Sequence, residues 1–246
     1  MVDVYRTSPE IAAAQPTIAV LGVGAIEQHG AHLPVATDWS WIAHMTRRVA
    51  ERLDAFWLPA IPFSMSECHG DLAGTVWLKP ETLAKVIRDL VLALRAQGIH
   101  RIVIMNGHGG NFMLEPTIQE LNLTYSDLAV IMPPHFGPAD PPIFESTGEI
   151  HAGEGETSTQ LSLNPELVKD ERVDAMPAVG REFLDYTVMA NISPAGVWGS
   201  PNLGSAEKGR RAAERNVELT ARYVHDTFEA IAQCKQGATA AGTSDV

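Results

Sequence analysis

Four runs of consecutive apolar, largely β-branched residues punctuate the chain, at residues 17–23 (TIAVLGV), 56–63 (FWLPAIPF), 101–105 (RIVIM) and 128–132 (LAVIM). Continuous rather than alternating, they predict strands buried on both faces, as in a parallel sheet covered by helices. Between them the apolar positions recur with helical spacing. One predicted helix covers residues 39–53, with Asp38 at or near its N-cap; a second covers 81–97, opened by Lys79-Pro80 and closed at Gly98. Residues 115–122 predict a third helix and residues 206–232 a last one. Strand alternating with helix defines a layered α/β domain. Residues 133–150, rich in Pro and Gly, predict a long loop of a length that is usually either functional or disordered. One domain is expected over residues 1–235, and residues 236–246, rich in Gly, Ala, Ser and Thr, are expected to form a flexible tail.

Composition narrows the function. The 246 residues include 45% hydrophobic and 20% charged, as in an ordinary globule with a sizeable core. The net charge of −12 argues against nucleic acid, since an acidic chain gains nothing from counterion release, and against an anionic membrane surface. Two cysteines, Cys68 and Cys234, form neither a disulfide framework nor a zinc-finger spacing. The first residues lack a basic segment followed by an apolar run, so no signal peptide is expected and the cytoplasm is the expected location.

Candidate chemistry gathers where strands end. Glu27 and His29 follow the first strand; two residues apart, they project to one side in extended backbone, and Asp38 arrives at a helix start. Asn106-Gly107-His108-Gly109-Gly110-Asn111 follows the third strand and lacks the lysine of a phosphate loop. His151, Glu154 and Glu156 close the long loop. In parallel α/β sheets ligands bind at the carboxyl ends of strands, and this mix of imidazole and carboxylate suits Zn, Mn or Fe. Each cluster alone is weak, because a histidine in a Gly-rich turn is more often a local hydrogen-bonding group. Cys68 has no flanking base and is not read as a nucleophile. His69 is divided between lining the pocket and capping a turn; His32 either orients a ligand or faces a partner subunit.

Taken in order, Glu27-Gln-His29-Gly-x-His-Leu-Pro with Asp38, Ser66-x-x-His69 with Gly74-Thr75, Asn106-Gly-His108-Gly-Gly-Asn111 and His151-Ala-Gly-x-x-Glu156-Thr-Ser resemble the creatininase family of amidohydrolases over roughly residues 16–160. The resemblance implies a three-layer α/β/α sandwich with a mostly parallel sheet and a homo-oligomer, possibly a hexamer. It implies two divalent ions, Zn and/or Mn with Fe as an option. Glu27 and His108 would hold one ion, His29 and Glu156 the other, and Asp38 would bridge them, with a water between the ions as nucleophile. His151 would shuttle the proton to the leaving nitrogen, with Glu156 also at the reaction centre. His69, Thr75 and Gly109 would contact a small-molecule amide. The expected reaction is hydrolysis of a C–N bond in a small cyclic amide; a peptidase, a formamide hydrolase and a binding module without catalysis are the alternatives. Two departures bear on this. Creatininase has a glutamate ligand where this chain has Gly110, and a tryptophan over creatinine where it has Thr147.

Overall fold

A computed structural model describes residues 1–136 and 139–241. The end of the expected tail, residues 242–246, lies outside the described residues. Five parallel strands form one sheet: β1 (Val2–Asp3), β2 (Ile18–Val23), β3 (Phe56–Trp57), β4 (Arg101–Asn106) and β5 (Ala129–Ile131), in the order β1-β3-β2-β4-β5. The helices are α1 (Ser8–Ala14), α2 (Thr37–Leu53), α3 (Pro80–Ala96), α4 (Leu114–Thr124), α5 (Glu154–Leu163), α6 (Met189–Ile192) and α7 (Ala206–Ala241).

Strand pleating divides the core into two layers. Ala19, Leu21 and Val23 of β2, with Ile102 and Ile104 of β4, point to the face covered by Leu83, Ile87 and Val91 of α3 and Leu114, Ile118 and Leu121 of α4. Val20, Val103 and Met105 point the other way, onto Ile42, Met45 and Val49 of α2 and Val217, Val224 and Phe228 of α7. The result is the expected three-layer α/β/α sandwich.

The strand expected at 56–63 is cut to two residues. Pro59 and Pro62 have no N–H to offer a ladder, and what remains runs beside β2 through Leu58 N to Val20 O and Ile61 N to Gly22 O. Asp38 lies near the N-cap rather than on it: α2 starts at Thr37, after Ala36, so the carboxylate sits in the first turn and is free to face inward. Gly98 follows α3 with φ +83°, the left-handed position a helix end favours. The final helix outruns its expected end at residue 232. Four elements lay outside the sequence reading: β1, α1, opened by Thr7 N donating to Glu10 Oε2 at 2.7 Å, α5 and α6.

The sheet's central pair, β2 and β4, is registered from Ile18 opposite Arg101 to Val23 opposite Asn106, so both strands end level. Gly107 leaves β4 so close to α2 that a Cβ there would meet Ile42 Cβ at 2.6 Å. Glycine lets the first turns of α2 press onto the strand exits.

Candidate metal centre

Five side chains from four elements meet above these strand ends. Glu27 and His29 come from the turn after β2, Asp38 from α2, His108 from the turn after β4 and Glu156 from the first turn of α5. Glu27, His29, Asp38 and His108 are 1%, 0%, 5% and 7% exposed, a depth at which charged groups must be paired or bind ions. His29 Nε2 lies 3.2 Å from Asp38 Oδ1 and 3.6 Å from Glu156 Oε2. His108 Nδ1 lies 3.0 Å from Asp38 Oδ2 and 3.3 Å from Glu27 Oε1. The donor atoms fall into two sets, each within 4.8 Å: Glu27, Asp38 and His108, and His29, Asp38 and Glu156. Asp38 belongs to both.

The residues fit a pair of cations by three independent features. Glu27 Oε2 and Asp38 Oδ2 are buried without a hydrogen-bond partner, although His108 Nδ1 lies 3.0 Å from Asp38 Oδ2. Buried carboxylate oxygens left open are costly unless a cation takes them. The imidazoles are also set for ligation: His29 Nδ1 donates to Glu27 O at 3.0 Å and His108 Nε2 donates to Met65 O at 2.9 Å. With these protons assigned by the network, the inward nitrogens are the ones that lose a proton to ligate. Finally, the donor set of imidazole and carboxylate matches borderline divalent ions.

Charges at the centre are strongly coupled. Burial pulls His29 down, but Asp38, Glu156 and Glu27 outweigh it and raise its pKa to about 10. His108 is likewise raised against burial, by Glu27 and Asp38. Burial would raise Asp38, yet His29 and His108 hold it ionised far below the usual carboxylate range. Glu156 moves up to about 7, through burial and the anions Asp38 and Glu27, although 35% of its side chain opens to the cleft. Crowding by protein atoms on the other sides accounts for that shift. Ala152 N donates to Glu156 Oε2 at 2.5 Å and fixes that carboxylate.

Gly110 has a structural meaning here. A Cβ at this position would run into His108 Nε2 and would meet Met65 O at 2.6 Å, the very pair that sets the His108 tautomer. A carboxylate enters the second donor set from α5, through Glu156, with no ligand from residue 110.

His151 lies beside these residues, 5% exposed, its ring 4.2 Å from that of His29 and 4.4 Å from that of His69. Its Nε2 donates to Gln28 O at 2.7 Å, which turns Nδ1 toward Glu27 Oε1 at 3.5 Å. Burial, then the His29 and His69 charges, hold its pKa well below the usual histidine value. His151 also forms a third compact donor set with Glu27 and His29, which the sequence reading did not foresee.

The centre opens into a cleft of about 840 Å³ whose walls include His69, Gly109, Phe112, Arg181 and Met189. His69 lies on the wall, with Nδ1 2.9 Å from Gln28 Nε2. Thr75 stands behind it: its hydroxyl accepts from Gln28 N at 3.1 Å. Thr147 is exposed. The Cys68 thiol is pushed up by burial, the wrong direction for a nucleophile. His32 bonds Thr157 Oγ1 at 3.0 Å, beside Glu156. Glu154, fully buried, faces away from the centre toward Lys208, at 2.5 Å.

Three contributors escaped the sequence reading. Gln28 is flanked by the motif residues, and its side chain touches both His69 and His151. Glu149 accepts from Glu154 N at 2.7 Å and Gly155 N at 2.8 Å, capping α5 in place of a residue at the helix start. Arg181 reaches the cleft from a distant turn with no local pattern to mark it.

Comparison with known proteins gives a consistent picture. The creatininase family model, creatinine amidohydrolase, matches residues 5–224. A mycofactocin precursor peptide peptidase from Mycobacterium ulcerans is 30% identical over 94% of this chain and 90% of its own length. The creatinine amidohydrolase of Pseudomonas putida is 30% identical over 88% of this chain and 92% of its own. An Mn form of creatininase superposes with a TM-score of 0.79 at 27% identity, over 92% of this chain and 98% of its own, and a Zn-Zn form with 0.77 over the same shares. On a family match spanning most of its length and relatives at this identity, the chain belongs to the creatininase family of amidohydrolases.

Proposed function

We propose that this protein hydrolyses a C–N bond in a small cyclic amide or related amide, with Glu27, Asp38 and His108 holding one divalent ion and His29, Asp38 and Glu156 a second. The observation that carries the reading is the sharing of Asp38 between two donor sets while two carboxylate oxygens lie buried without partners. Zn and Mn are the ions of choice, by analogy with the related creatininases. Bound there, such ions lower the pKa of a shared water and polarise a substrate carbonyl.

The chain's own groups supply the rest. His151 keeps Nδ1 free as a proton acceptor, because Gln28 O takes the proton on Nε2. A neutral imidazole can collect a proton and deliver it to the departing nitrogen, which an amide needs as its leaving group. Glu156, held by Ala152 N, would serve the reaction as a ligand of the second ion. Gln28 holds both rings in place: its side-chain Nε2 donates to His69 Nδ1 and its backbone carbonyl accepts from His151 Nε2. His69 and the Gly109 backbone line the path of substrate, and Thr75 acts through Gln28.

A peptidase is the second reading, supported by the relative from Mycobacterium ulcerans and by a cleft larger than one small ring requires. We assign one domain to residues 1–235. We assign a homo-oligomer, up to a hexamer; the exposed Phe63, Val76 and Trp77 support association without fixing the number of subunits. A cytoplasmic location is supported by two free cysteines, and no helix among the described residues is long and apolar enough to cross a membrane.

Elemental analysis of protein purified without added metal, followed by turnover of lactams, hydantoins, formamides and short peptides before and after chelation, tests the reading. Full activity after rigorous metal removal rejects it. Asp38→Ala is expected to lose both ions, since the two cations would then face each other without the shared anion.

A further inference from the structure

Arg181 opens the short turn Arg181–Asp185 and extends across the cleft, where its Nη2 donates to the Gly109 carbonyl at 2.8 Å. Gly109 follows His108, so this bond pins the guanidinium beside the metal centre. Among the described residues lining the cleft, Arg181 is the one permanent cation. The other basic groups nearby are committed elsewhere: Lys79 holds Glu67 at 2.5 Å, and Lys208 holds Glu154. No carboxylate among the described residues lies within 4.0 Å of Arg181. The deep carboxylates Glu27, Asp38 and Glu156 face imidazoles. A guanidinium has five N–H donors in a planar fork, and a single one is used by Gly109. The remaining edge matches the two oxygens of a carboxylate or phosphate.

We infer that Arg181 determines specificity in this cleft, and that the substrate is an amide bearing a separate oxyanion, a carboxylate or a phosphate monoester, which the guanidinium grips while the amide lies at the metal centre. The identity of the reacting bond rests on the amidohydrolase reading above. The oxyanion is an independent element: Arg181 takes no part in bond cleavage and acts by seating the far end of the substrate.

The test compares three N-formyl amines of similar length: N-formylaminovalerate, N-formylaminobutyl phosphate and N-formylpentylamine. Calorimetric binding to the Mn-loaded protein and release of formate are measured in parallel. Wild type is expected to bind one or both anionic compounds roughly 10- to 100-fold tighter than the neutral one. In Arg181→Gln that ratio is expected to fall toward one, and in Arg181→Lys to an intermediate value, because an ammonium keeps the charge without the fork. The better anionic compound tells carboxylate from phosphate. If Arg181 merely braced its turn against Gly109, all three compounds would weaken together and the ratio would stand, which overturns the inference. A carboxylate seated on the metal ions would also keep its advantage in Arg181→Gln, and that result overturns it as well. Equal affinities in wild type overturn it directly. An intact ratio in binding with no formate released leaves the inference standing and counts against the hydrolase reading instead.

Discussion

Replacing Lys208 by Met strands a carboxylate that has no exposure at all. Lys208 Nζ donates to Glu154 Oε1 at 2.5 Å, to Glu145 Oε1 at 2.7 Å and to Leu203 O at 2.9 Å. Glu154 is 0% exposed, and its other oxygen accepts from Glu145 N at 2.8 Å and Ser146 N at 2.6 Å. Removing one partner of a buried pair destabilises by ~3–5 kcal/mol. Lys208 keeps 17% of its side chain exposed, and the two amide bonds to Glu154 survive, so the effect sits at or just below the lower end, about 2–3 kcal/mol. For a chain of this size that corresponds to a melting temperature lower by about 5–10 °C. Glu154→Gln together with Lys208→Met restores most of the loss, because a neutral amide still accepts from Glu145 and Ser146 and leaves no bare charge. Urea denaturation of wild type, both single variants and the double variant measures the coupling directly. A Lys208→Met variant within about 0.5 kcal/mol of wild type, the range of an ordinary surface change, would refute the account.

Other expectations concern protons and the centre. His32 is 1% exposed, and burial with the Arg172 charge lowers its pKa to about 4. The unfolded state then binds a proton that the folded state refuses, so stability is lost as pH falls from 6.5 toward 4, by up to about 3 kcal/mol. His32→Asn is expected to flatten that acid limb in denaturation curves at pH 8 and pH 5; an unchanged slope counts against it. His29 and His108 have raised pKa values in the metal-free protein and must deprotonate to ligate, so metal binding releases protons and strengthens as pH rises. Calorimetry in buffers of different ionisation enthalpy should show this release, and its absence would contradict the charge assignment. Gly110→Glu is expected to weaken metal retention rather than add a ligand, since its Cβ disturbs the His108–Met65 bond; metal content after dialysis reads it out.

How far the chain could be read depends on what each part relies on. The strands β2 and β4 were legible because burial on both faces forces continuous apolar runs. The helix α5 was not: Glu-Gly-Glu-Thr-Ser-Thr-Gln carries no apolar stripe and weak helix formers, and the helix is held by the Glu149 cap and by packing on α7. Asp38 was legible as a chemical residue at or near a helix start, but the choice between the cap and the first turn was not, since a carboxylate there is ordinarily a cap. The strand at 56–63 failed for a reason visible in the sequence, its two prolines. Arg181 and Glu149 were out of reach because their partners are set by loop paths, and no period or spacing encodes these.

The contact of α2 with the strand exit at Gly107 has a consequence for how the centre is loaded. The Ile42 side chain fills the space beside the turn, and Asp38, buried in the first turn of the same helix, presents its carboxylate before any ion arrives. Protons on His29 and His108 balance the acids in the meantime. Uptake of metal thus becomes a matter of entry and proton exchange rather than of refolding. A chelated sample should keep its helical signal and regain ions simply on their return.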